Sequence, residues 1–61
     1  MELKTGEHYR ERATGREYVL LNIAEHADYT WLAFANLETR KQYTQTLAKF
    51  EQDFEPAASQ P

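Results

Sequence analysis

Tyr18-Val19-Leu20-Leu21-Asn22-Ile23-Ala24 is the stretch whose reading decides the fold. It is the longest apolar run ahead of the Trp31 segment, and Gly15 punctuates the chain shortly before it. A short run rich in aromatic and β-branched residues behind a turn signal predicts a strand. Side chains alternate along a strand. Val19, Leu21 and Ile23 therefore share one face, and Tyr18, Leu20, Asn22 and Ala24 the other. A strand apolar on nearly both faces is covered on both, as in a small closed barrel or beneath a helix. If one set fills the core, the other faces outward. Leu21→Asp is expected to unfold the protein by burying a charge without a partner.

Working outward from this strand, Ala13-Thr14-Gly15-Arg16 reads as a hairpin turn, because Gly15 tolerates positive φ. His8-Tyr9-Arg10-Glu11-Arg12 before it reads as a short edge strand guarded by charges. Residues 1–7 are polar and expected to be flexible. On the other side, Ala27-Asp28-Tyr29 reads as a turn and Thr30-Trp31-Leu32-Ala33-Phe34-Ala35 as the next strand. Asn36-Leu37-Glu38-Thr39 is the next break.

The last third carries two signals. Gln42-Tyr43-Thr44-Gln45-Thr46 has strand content, yet Tyr43, Leu47, Phe50 and Phe54 step by four, three and four, which is a helical spacing. Thr39 with Gln42 also matches a capping box. The reading adopted is a strand near 40–46 followed by a helical turn or two over Leu47–Gln52, with Phe50 and Phe54 plugging the end of the barrel. One long helix from Thr39 to Asp53 is the alternative, and an all-helical chain a third possibility. Pro56 to Pro61 has the composition of a disordered tail. The expected architecture is thus mainly β: a small SH3-like barrel over residues 8–55 with a short C-terminal helical turn. The alternative is an α+β fold, a three-stranded antiparallel sheet covered by one C-terminal helix.

Length and composition set the scale. Sixty-one residues make one domain at most. A chain this short buries only roughly 60% of its unfolded surface, so burial against a partner would add to its stability. There is no cysteine, which removes disulfides and thiolate zinc sites and suits a reducing compartment. No apolar run approaches the roughly 20 residues that span a bilayer. The expected location is the cytoplasm, with no membrane partner. A net charge of −3 weighs against non-specific binding to phosphate backbones.

The order Gly6…Tyr9…Gly15…Tyr18-x-Leu20…Ala24-x-His26 resembles the DUF1653-type domains of bacteria and phages. That resemblance covers about 45 residues and implies a compact SH3-like β-barrel. It implies no activity. The chain departs from the family pattern after His26, where Ala27-Asp28-Tyr29 replaces an acidic-Thr step, and near Tyr43, where no Trp-x-Arg-Pro occurs.

Chemistry-bearing constellations are sparse. His8 and His26 are the only histidines, and Glu25 next to His26 points to the opposite strand face. A zinc site needs three or four convergent ligands. The hydroxyl residues sit in no nucleophile elbow, and Glu51, Asp53 and Glu55 lie on what reads as a solvated segment. Catalysis, a cofactor and a small-molecule substrate are therefore not expected. Two readings remain. The preferred one is a non-enzymatic interaction module that binds a protein partner or associates with itself through surplus aromatic surface, including Tyr18 and Trp31. The alternative is a nucleic-acid-binding accessory protein that uses Tyr9, Arg10, Arg12, Arg40, Lys41 and Tyr43 as a cationic, stacking patch. Ordinary cross-strand pairing of those cations with Glu7, Glu11, Glu17 and Glu38 would silence the patch.

Overall fold

A computed structural model describes residues 3–57. The chain forms β1 (His8–Glu11), β2 (Glu17–Glu25), β3 (Thr30–Asn36), β4 (Gln42–Thr46), α1 (Leu47–Asp53) and β5 (Phe54–Pro56). The strands make one antiparallel sheet in the order β4-β3-β2-β1-β5. The fold is mainly β. Its strand order, with a single short helix between the last two strands, is that of a small SH3-like barrel. The long helix over 39–53, the three-stranded alternative and the all-helical chain are all excluded by β4 and β5.

The sheet is open at β4 and β5, yet strongly curled. Phe34 of β3 and Phe54 of β5 stand three strands apart in the ladder, which in a flat sheet is about 14 Å. Their rings instead lie 5.2 Å apart. Helix α1 fills the mouth of the curl with Phe50, which is fully buried. Thr46 caps this helix, its hydroxyl accepting from the Lys49 N–H at 3.4 Å. The cap therefore lies at Thr46 and not at the Thr39–Gln42 pair.

The core is Tyr9, Tyr18, Leu20, Leu32, Phe34, Phe50 and Phe54, with Leu3, Ile23 and Leu47 packed against it. Five of its seven buried members are aromatic. A chain of this length gains area by using large rings. Tyr43, Leu47, Phe50 and Phe54 do converge, but from β4, α1 and β5 rather than along one helical face.

The two faces of β2 resolve through a bulge. Tyr18 and Leu20 point inward. The register then shifts between Leu20 and Asn22. An extra residue in one strand reverses the alternation beyond it, so Ile23, opposite Leu32, returns to the inner side. Leu21 is 43% exposed. The expectation that Leu21→Asp unfolds the protein is therefore corrected: the residue that fits that role is Leu20, at 1% exposure.

The described segments that flank the sheet are tied into it. Gly6, with φ +87, donates its N–H to the Leu20 carbonyl at 2.7 Å, and the Lys4 N–H donates to the Tyr9 hydroxyl at 3.1 Å. Pro56, placed in the tail by its composition, pairs with Tyr9 in β5, and the Ala57 N–H reaches the His8 carbonyl. The remainder of the expected tail, and the first two residues, lie outside the described residues.

Candidate functional site: the outer face of the sheet

The outer side of the β2-β3-β4 sheet carries no covering layer among the described residues, because the core rings and α1 lie on the inside of the curl. Its cross-strand pairs are Ala24 with Trp31, Asn22 with Ala33 and Val19 with Ala35, continued on β4 by Thr46, Thr44 and Gln42. Small side chains in the middle of this face leave Trp31 standing beside a shallow groove of about 320 Å³, lined by Asn22, Ala24, Trp31, Ala33 and Thr44. Trp31 is 40% exposed.

The aromatic surface continues onto the β2–β3 turn. Tyr29 meets Trp31 edge to face at 6.0 Å, and His26 stacks on Tyr29 at 4.7 Å. Tyr29 is more exposed than Trp31. The turn is closed by the His26 N–H donating to the Tyr29 carbonyl at 2.8 Å, which fixes both rings on one side of the hairpin. His26, Tyr29 and Trp31 thus form a continuous ring series leading to the groove. Sequence reasoning singled out Trp31 but placed Tyr29 only in a turn. The signal lay in the spacing, since Tyr29 and Trp31 are two apart and so share a side.

The other candidate residues are dispersed. Tyr9 is 2% exposed and packs edge to face on Phe50, so it offers no stacking surface. Tyr18 is likewise a core ring, in contact with Phe34 and Phe54. Both are corrected from surface to core, because inward strand positions at 9 and 18 face each other across the β1–β2 ladder. Arg10 donates to Glu55 at 3.1 Å, and Arg12 lies 3.9 Å from the same carboxylate. Tyr43 is on the inner side but at the open mouth, stacked on Phe34 and 43% exposed.

Arg40 and Lys41 lie in the β3–β4 turn, both exposed. Asn36 builds that turn: its side-chain oxygen accepts from the Glu38 and Thr39 N–H groups at 2.8 Å each, and its carbonyl accepts from the Arg40 N–H. Arg40 is left in the left-handed region at φ 68. A bond from the Leu37 N–H to the Glu17 carbonyl brings this turn beside the β1–β2 turn. Arg16 shares a crevice there with Glu17 and Glu38, so acidic residues separate the basic ones. The six-residue nucleic-acid patch therefore does not form one surface: Tyr9 is internal, and β2 and β3 stand between Arg10 and Lys41.

Among the described residues, no group of three or more His, Cys, Asp or Glu side chains is placed to hold a metal ion, and no helix is long and apolar enough to cross a membrane. The fold and this face define a small, barrel-like β module with an exposed aromatic sheet surface. No family model, curated protein or solved structure matches the chain.

Proposed function

We propose that the protein is a non-enzymatic interaction module that takes a protein partner on the outer face of its sheet. The observation that carries this reading is Trp31, held 40% exposed above a floor of alanines on an otherwise uncovered face. Trp is the residue type most enriched in interface hot spots, and it is most effective beside a pocket that a partner side chain can fill. Tyr29 and Leu21, exposed nearby, extend the contact area. Elsewhere, Glu11 accepts from Thr14 and Tyr18, and Glu55 holds Arg10.

The nucleic-acid reading draws less support, since its aromatic members are core rings and two of its cations are paired. The DUF1653-type resemblance adds a fold and no activity.

Affinity capture from extracts of the native host tests the proposal, with wild type and Trp31→Ala compared side by side. The variant is expected to keep its circular dichroism and melting temperature and to lose the retained protein. Equal retention by both, or retention replaced by salt-sensitive binding to oligonucleotides, refutes it.

A further inference from the structure

Among the described residues the sheet has two free edges, and they are built differently. The β5 edge is three residues long, ends at Pro56 and carries Glu55. A short strand, a proline and a charge are the ordinary guards against edge pairing. The β4 edge has none of them. Gln42-Tyr43-Thr44-Gln45-Thr46 is five residues long, uncharged, regular in its pairing with β3 and free of proline. In a chain of net charge −3, it is an edge on which two copies can meet without opposing like charges.

The ladder fixes which backbone groups are free. The Asn36 N–H donates to the Lys41 carbonyl, so residue 41 turns its polar backbone toward β3. In antiparallel pairing this orientation alternates. Tyr43 and Gln45 therefore also face β3, while Gln42, Thr44 and Thr46 direct their backbone groups outward.

We propose that the β4 edge is a self-association site, at which two copies pair their β4 strands antiparallel about a two-fold axis through Thr44. In this register Thr44 exchanges both backbone hydrogen bonds with Thr44 of the second copy. Gln42 stands opposite Thr46, and the Thr46 N–H meets the Gln42 carbonyl. The Thr46 carbonyl is left to α1, as an N-cap carbonyl should be. Tyr43 of one copy stands opposite Gln45 of the other. The Gln45 side-chain oxygen is buried and has no hydrogen-bond partner among the described residues. The result is one sheet continuous through both molecules. Thr44 also lines the Trp31 groove, so the groove runs on across the axis. This site is the strand edge, distinct from the face assigned above, and its test does not require the partner of that face.

The contact is small. Five residues of strand span about 17 Å, well below a standard interface. A weak dimer follows, with a dissociation constant below about 1 mM. Sedimentation equilibrium over a concentration series is the measurement. Thr44 is exposed, so Thr44→Lys should leave the monomer folded, checked by circular dichroism. It places two like charges directly opposite each other and should weaken association by about tenfold or more. Thr44→Glu should do the same alone, and an equimolar mixture of the two variants should recover association. Concentration-dependent protection of the Thr44 amide against hydrogen exchange should accompany the dimer. A wild type that stays monomeric to about 1 mM overturns the proposal. So does a dimer that Thr44→Lys leaves intact but Trp31→Ala abolishes, which would place the contact on the outer face. Failure of the mixture to recover association overturns the two-fold register.

Discussion

Phe50→Ala should leave almost no folded protein. Phe50 has no exposed surface and touches three other rings. It stacks on Phe54 at 4.3 Å and 8°, lies tilted on Phe34 at 5.2 Å, and meets Tyr9 edge to face at 5.5 Å. Truncating a buried Phe to Ala costs about 3–5 kcal/mol, and the cost rises where the cavity cannot collapse. Here the cavity is walled by β1, β3 and β5 at once, and its lining rings cannot shift without breaking their mutual contacts, which argues for the upper end. A domain of 61 residues has about 3–9 kcal/mol of stability in total. The substitution therefore removes half or more of what is available. Phe50→Leu keeps most of the volume and should cost about 1–2 kcal/mol, which lowers the melting temperature by about 5–15 °C in a domain of this size. The assay is thermal and urea unfolding followed by near- and far-ultraviolet circular dichroism, with Phe50→Leu as the measurable intermediate. If Phe50→Ala melts within a few degrees of wild type, the ring is not the plug of the curled sheet. If it also abolishes association, α1 is a contact surface and the core assignment fails.

Two further substitutions separate the faces and loops. Leu20→Asp should unfold the protein, whereas Leu21→Asp should change stability by only about 0.5–1 kcal/mol, as an exposed site does. Equal effects in a urea titration would refute the bulge that sets the two residues apart. Arg40→Gly should raise the melting temperature by a few degrees: it removes a left-handed strain of about 1–2 kcal/mol and adds about 0.5–1 kcal/mol of unfolded-state entropy. A clear loss of stability would mean that the Arg40 side chain holds the turn.

Much of the strand plan is legible because apolar runs, Gly15 and the Asn36 turn carry their own chemistry. The 17–25 and 30–36 strands and the β4-to-helix switch follow from such signals. What was not legible has particular causes. The inner face of β2 follows from no alternation rule, since both sets are apolar and the bulge after Leu20 moves Ile23 from one side to the other. Strand β5 is three residues long and contains Pro56, which argues against a strand in isolation. It exists because Phe54 has a slot between Tyr18 and Phe34 to fill. Tyr9 looked like a surface aromatic because charges flank it, but strand alternation turns those charges outward and the ring inward. At the site, Trp31 was visible from its segment. The contribution of Tyr29 depended on the hairpin geometry, and the dispersal of the basic residues on the strand order.

Strand β1 stands between β2 and β5, so one of its ladders joins residues about 45 positions apart, as Arg10 and Glu55 show. A nascent chain leaving the ribosome can pair β1 with β2 early, but the other side of Tyr9 stays bare until residues 54–56 emerge. Until then the aromatic core lacks a wall, and the hairpins already formed expose Tyr18 and Phe34 to whatever is nearby. Folding to completion thus waits on residues 54–56. Its closing step is a long-range one, which is intrinsically slower than forming the local hairpins. A chain truncated just before Phe54 would be left as a β-rich, sticky intermediate rather than a nearly finished domain.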